Sequence, residues 1–175
     1  MKEDGLRLFI ALNVDRTARR AIVRLQETQW GVGCGGLARP ENLHLTLAFL
    51  GQTDPGRLDD LREVMDRTGA EPLELIFDRV GVFRREGGDI WWLGMGENRA
   101  LQALQSRLTH ALRQAGFPVE DRKFIAHLTL ARRARPRCAP GRLEKPIHTR
   151  AKAISLMRSQ RLDGKLVYTE LYRAP

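Results

Sequence analysis

The residues best suited to chemistry sit in one five-residue word used twice. Residues 44–48 read His44-Leu45-Thr46-Leu47-Ala48, and residues 127–131 read His127-Leu128-Thr129-Leu130-Ala131, in a chain with four histidines in all. Histidine has the free pKa nearest neutrality, so it gives or takes a proton at working pH. Two imidazoles in one cleft can divide the work, one neutral as base and one protonated as acid. Two threonine hydroxyls add donors for the oxygens of a bound anion. Arg132, just past the second word, would add a guanidinium fork. Such a set suits a phosphodiester handled without a metal. Metal ligation is the rival use of paired histidines. A catalytic zinc takes three protein ligands, and neither word has an Asp, Glu or Cys nearby to supply the third. Two core histidines are the plain alternative, which the identical context disfavours.

Both words read as β-strands, with β-branched Thr and alternating apolar positions. Side chains alternate faces, so His44 and Thr46 share one face while Leu45 and Leu47 anchor the other; the second word behaves alike. Arg132 lies five positions from His127. A regular strand puts it on the opposite face, and it reaches the site only where the strand twists or ends. The motif histidines are 83 positions apart, about half the chain, which suits one copy per lobe facing a cleft.

The remaining elements must hold these strands. Leu6–Val14 reads as a central strand. Asp15 caps a helix with Ala18, Ile22, Leu25 and Gln29 on its buried stripe. The Gly-rich stretch 30–36 lacks the order of a phosphate-binding P-loop and reads as turns. Leu43–Leu50 is the first motif strand. Asp54-Pro55 starts a helix with Leu58, Leu61, Val64 and Met65 inside, and Gly69 stops it. Leu73–Val82 is a strand, and Glu86–Asp89 a hairpin turn into 90–93. A long helix carries Leu101, Leu104, Leu108 and Leu112 on one face, with His110 off it in solvent. Ile125–Arg132 is the second motif strand. The segment 133–150 holds three prolines and the densest run of basic residues, and reads as a loop, either solvated or an arm for an RNA backbone; its His148 is structural. Strands 151–160 and 165–172 close the chain around Asp163-Gly164.

Thirty Lys and Arg against 21 Asp and Glu give a net charge of +9, which favours an anionic partner, first of all a nucleic acid. No apolar run approaches a membrane span, and the N-terminus lacks a signal-peptide core, so a cytoplasmic protein without membrane partners is expected. Cys34 and Cys138 stand far apart in no metal or redox pattern.

The His44-Leu45-Thr46-Leu47 and His127-Leu128-Thr129-Leu130 pair resembles the paired H-x-[ST]-x motifs of the 2H phosphoesterases. The opening 7–12, the approach 40–44 and the closing stretch 159–168 resemble its LigT-like branch, the RNA 2′,3′-cyclic phosphodiesterases, also called 2′-5′ RNA ligase-like proteins. The resemblance implies one domain over residues 1–175, made of two pseudo-symmetric lobes. Its fold would be α+β and bilobal, with two antiparallel sheets, helices outside and a central cleft. It implies an enzyme that hydrolyses RNA 2′,3′-cyclic phosphate ends to 2′-phosphomonoesters, with weak reverse 2′-5′ ligation. His44 would be the proton donor, His127 the proton acceptor, and Thr46 and Thr129 the holders of phosphate oxygens. Arg132 would bind phosphate, and Phe9 and Phe49 would wall the terminal base. No metal or cofactor is implied. The expected partner is RNA with a cyclic phosphate end, and the expected state a monomer. A non-catalytic RNA-binding module and a phosphodiesterase for a small cyclic nucleotide remain as alternatives.

Overall fold

The computed structural model describes residues 5–32, 34–137 and 139–175; readings made above for Met1–Asp4, Gly33 and Cys138 fall outside them. In chain order the elements are β1 (Leu6–Asn13), α1 (Arg16–Trp30), β2 (His44–Thr53), α2 (Leu58–Thr68), β3 (Leu73–Phe83), β4 (Ile90–Gly94), α3 (Arg99–Gln114), β5 (His127–Arg132), β6 (Gly141–Ala151), β7 (Ile154–Leu162) and β8 (Lys165–Ala174). The strands form an antiparallel sheet in the order β6-β3-β4-β5-β2-β1-β7-β8. Where two sheets are expected, the strands run as one eight-stranded sheet with two four-stranded halves. They join at β2 and β5, the two motif strands, through the one register pair Leu45↔Leu128.

Local chemistry sets most boundaries. Asp15 caps α1 by accepting from the Ala18 amide at 2.8 Å. The buried stripe of α1 is Ala18, Ile22, Gln26 and Trp30, one register away from the expected Leu25 and Gln29. Asp54-Pro55 opens a short 3-10 turn, Pro55–Arg57, and α2 proper begins at Leu58. Leu101, Leu104, Leu108 and Leu112 are buried on α3 as expected. One face of the sheet carries the main core against the helices. The other face carries a small cluster of Phe9, Ala11 and Met157, with Tyr168 against it.

The reading of the Pro- and Arg-rich segment is corrected. Residues 141–150, read as loop, belong to β6, an edge strand that runs on to Ala151 and pairs with β3 from Leu73↔Ala151 to Val80↔Gly141. Proline has no amide to donate, so sheets admit it at edges and bulges. Pro146 lies in the irregular stretch between the pairs Phe77↔Ile147 and Arg79↔Arg142, where the ladder is interrupted. Buried Thr149 ties β6 to the chain leaving β1. Its hydroxyl accepts from the Asp15 amide at 3.0 Å and donates to the Asp15 carboxylate at 2.9 Å.

Both motif strands bulge at the same residue of the shared word. In β2, Ile10 pairs with Ala48 and Ala11 with Thr46, leaving Leu47 unopposed. In β5, Trp91 pairs with Ala131 and Trp92 with Thr129, leaving Leu130 unopposed. A bulge inserts one residue and so reverses the alternation beyond it. The carbonyl freed in each bulge is met from a helix. Buried Gln26 of α1 donates to Leu130 O at 2.9 Å and to Ala38 O at 3.0 Å, while Gln105 of α3 reaches Leu47 O at 3.4 Å. The Gly-rich loop adds to the first clamp: Ala38 N donates to Leu130 O and Arg132 N to Gly36 O, each at 2.8 Å. Gly36 has φ +84°, and a Cβ there would lie 2.2 Å from Arg132 O, so only glycine fits.

Removing a buried hydrogen-bond donor while its acceptors stay costs roughly 1–3 kcal/mol. Gln26→Leu is therefore expected to lower the urea midpoint clearly, and Gln105→Leu, whose bond is longer, to lower it less. The reverse order in equilibrium unfolding would contradict these two clamps.

Candidate active site

Leu45 and Leu128 are fully buried toward the helices. Their neighbours along each strand therefore point to the opposite face. Extending the antiparallel register by one residue each way sets His44 beside Thr129 and Thr46 beside His127. The four side chains form a square, with the histidines at opposite corners. In an ordinary antiparallel pair this diagonal is roughly 7–8 Å. All four residues are half-buried.

The two histidines are held the same way. His44 Nδ1 lies 2.6 Å from Asn42 O, and His127 Nδ1 lies 2.8 Å from Ile125 O. A carbonyl only accepts, so each Nδ1 carries a proton and each neutral ring presents its Nε2 lone pair to the site. His44 Nε2 takes the Thr46 hydroxyl at 2.8 Å. Asn42 is fixed in turn, its Nδ2 donating to Leu166 O of β8 at 3.0 Å.

Aromatic rings wall each imidazole. Phe9 and Tyr168 stand 4.8 and 5.2 Å from His44, centroid to centroid. Phe83 and Trp92 stand 5.2 and 6.2 Å from His127. The Trp92 ring lies across two glycines: a Cβ at Gly81 or Gly94 would come within 2.3 or 2.4 Å of it. Burial pushes the His44 pKa down to about 4; the Asn42 carbonyl opposes this, and the charges of His127 and Arg132 add to it. Burial also lowers the His127 pKa, against the Ile125 carbonyl and with help from Arg132. In Tyr168 burial raises the phenol, while Arg132, Arg7 and Arg161 pull it back.

Arg132 is thus felt by both histidines and by Tyr168. The bulge at Leu130 explains how. It cancels the odd spacing from His127 and turns exposed Arg132 to the cleft face. Phe49 holds the corresponding place after the bulge in β2. It is 50% exposed and 6.2 Å from the Phe9 ring. The structure therefore gathers His44, Thr46, His127, Thr129, Arg132, Phe9 and Phe49 about one cleft. Sequence reasoning missed Tyr168, Phe83 and Trp92. The adjacent pair Trp91-Trp92 was one available signal, since neighbours on a strand face opposite ways. His110 and His148 are exposed and away from this group. Among the described residues no cluster of three or more His, Cys, Asp or Glu could hold a metal ion.

Residues 14–163 match the model of the 2′-5′ RNA ligase superfamily. An RNA 2′,3′-cyclic phosphodiesterase from Archaeoglobus fulgidus is 33% identical over 128 residues, 73% of this chain and 72% of its own length. One from Methanothermobacter thermautotrophicus is 30% identical over 178 aligned positions, covering 95% of this chain and 96% of its own. The crystal structure of Escherichia coli LigT complexed with 3′-AMP superposes with a TM-score of 0.82 at 26% identity, covering 98% of this chain and 97% of that one.

The depressed His44 pKa has a consequence for stability. The unfolded chain binds a proton near the free value of 6.5, which the folded chain takes up only near 4. Stability is then full above pH 6.5 and falls as the pH drops toward 4. At about 1.4 kcal/mol per pH unit, the loss is about 3 kcal/mol. Urea unfolding of the wild type across this range is expected to show it, and His44→Gln to show a smaller acid loss. Equal acid loss in both proteins would contradict the burial of His44.

Proposed function

The chain belongs to the LigT-like RNA 2′,3′-cyclic phosphodiesterases of the 2H phosphoesterase family and is an enzyme, and we propose that it opens the cyclic phosphate at an RNA end by proton transfer between its two motif histidines, with no metal. The observation that carries this reading is the register of β2 and β5, which sets the two imidazoles on one face at opposite corners of a square.

The cyclic phosphate sits at the centre of the square. The Thr46 and Thr129 hydroxyls and the Arg132 fork bind its non-bridging oxygens. His127 Nε2, neutral and unencumbered, removes a proton from water as the water oxygen attacks phosphorus. On the far side the P–O3′ bond breaks, and the 3′ oxygen takes the proton from His44 Nε2. The product is a 2′-phosphomonoester and a 3′-hydroxyl. Water has been added, and the two imidazoles exchange one proton with solvent to reset. With a 5′-hydroxyl in place of water as the attacking group, the same step forms a P–O5′ bond while P–O3′ breaks, leaving a 2′-5′ linkage, so a weak ligation follows from the same groups. Phe9 and Phe49 form an apolar wall for the terminal base. The 3′-AMP held by the E. coli relative supports a pocket sized for one nucleoside beside its phosphate.

The acid role asks something of His44. In the free protein its pKa of about 4 leaves it neutral at working pH. A bound phosphate anion offsets the Arg132 charge and stabilises the imidazolium, so substrate raises the pKa where the proton is needed. Both free-enzyme limbs are then expected below 6.5, in a bell-shaped kcat/KM profile. The alkaline limb of kcat, which reports the complex, should lie at higher pH. Coincident alkaline limbs in steady-state profiles would contradict this.

The direct test is product analysis on an oligoribonucleotide ending in a 2′,3′-cyclic phosphate. The expected product keeps phosphate on the 2′ oxygen, at an unchanged rate in EDTA. His44→Ala and His127→Ala should each lose about 10²–10⁴-fold in turnover. A 3′-phosphate product, or full activity in either variant, would overturn the assignment.

A further inference from the structure

We propose that the exposed arginine face of α1 holds the phosphodiester backbone of the RNA strand that leads to the cyclic end; this rests on the function proposed above. Arg16, Arg20 and Arg24 form a stripe at four-residue spacing, and Arg19 lies beside it. The four line a surface hollow together with Val23 and Pro40. Pro40 opens the 3-10 turn whose last residue, Asn42, orients His44. The hollow thus borders the segment that leads straight into the site.

Most arginines on or beside the other two helices are held by acids of the fold, and these four are not. Arg57, just ahead of α2, pairs with Asp60, and Arg62 and Arg67 on α2 pair with Asp59 and Glu63. On α3, Arg99 and Arg113 pair with Glu97 and Asp121, while Arg107 makes no ion pair among the described residues. Among the described residues none of the four on α1 makes an ion pair. Arg19 Nε is buried with no hydrogen-bond partner. Their position is also electrostatically adverse. The positive end of the helix dipole is at the N-terminus, where acids stabilise and cations do the opposite. α2 obeys this with Asp59 and Asp60 in its first turn. In α1 the capping Asp15 is the acid at this end; the first turn itself has none and carries Arg16, with Arg19 and Arg20 one turn on. A bound anion offsets the repulsion among these like charges.

The basic segment 133–150 is the competing surface, and the fold has used much of it. The Arg137 guanidinium packs on Gly31 at the C-terminal end of α1, the Arg133 stem lies over Gly88, and Arg150 reaches Glu74 at 3.5 Å. On α1 the forks stay free, and guanidinium geometry matches phosphate oxygens. The occupant is a chain of phosphates rather than one, because the arginines are spread along two turns.

The test uses the triple variant R16Q/R20Q/R24Q. These three are exposed, and glutamine is nearly as good a helix former as arginine. Thermal unfolding checks that the fold is kept. Two substrates are compared: a short oligoribonucleotide with a 2′,3′-cyclic phosphate end, and adenosine 2′,3′-cyclic monophosphate. The expected result is a raised KM for the oligonucleotide, with KM for the mononucleotide and both kcat values unchanged. The slope of log KM against log salt for the oligonucleotide should also shrink by about 2, since each lost contact to a single strand removes about 0.7. Unchanged oligonucleotide KM and slope, or equal shifts for both substrates, would overturn the proposal. Fluorescence anisotropy of a labelled oligonucleotide ending in a 2′-phosphate reads binding without turnover. If the wild type cleaves neither substrate, the proposed function fails, and a loss of binding in the variant still decides for or against this surface.

Discussion

Leu45 lies opposite Leu128 at the joint where the two half-sheets meet, and both are fully buried. Slipping either strand by one residue would turn its leucines to the cleft and its histidine to the core. Leu45, Leu47, Leu128 and Leu130 are all buried, and burying a leucine stabilises by roughly 1.5–3 kcal/mol. The four together amount to roughly 6–12 kcal/mol, comparable to the whole stability of a typical domain. The apolar side of the joint thereby fixes the polar side. His44 faces His127 across a diagonal because the leucines beneath them have no other place to go.

The two bulges add what a regular strand cannot. Alternation supplies alternate residues to the cleft and then continues uselessly. An unopposed leucine in each strand shifts the count by one, so the residue after each word joins the same face. In β2 that residue is the apolar Phe49, and in β5 it is the cation Arg132. One backbone device, used twice, thus gives the cleft an apolar end and a charged end. Gln26 and Gln105 hold it from opposite helices.

The repeated word was legible because strands have a period of two and the word is long enough to fix its phase. The helix faces of α2 and α3 were legible for the same kind of reason. The face of Arg132 was not, because its bulge depends on Trp91 and Trp92 and on Gln26, which lies 104 positions away. β6 was hidden by Pro140 and Pro146, which forbid a central strand but not an edge one. Tyr168, Phe83 and Trp92 lie on three different strands, and only the sheet order brings them to the histidines. Burial, which moves both imidazole pKa values, cannot be read from a motif at all.

Pro146 also bears on how the protein behaves in a crowded solution. A free sheet edge offers its unpaired amides and carbonyls to any passing strand, and natural edges resist this with charge, proline and irregular backbone. β6 brings Arg142, Glu144, Lys145 and Pro146 to that edge, in the stretch where its own ladder is interrupted. The residues that disguised this strand as a loop also make it a poor template for edge-to-edge aggregation.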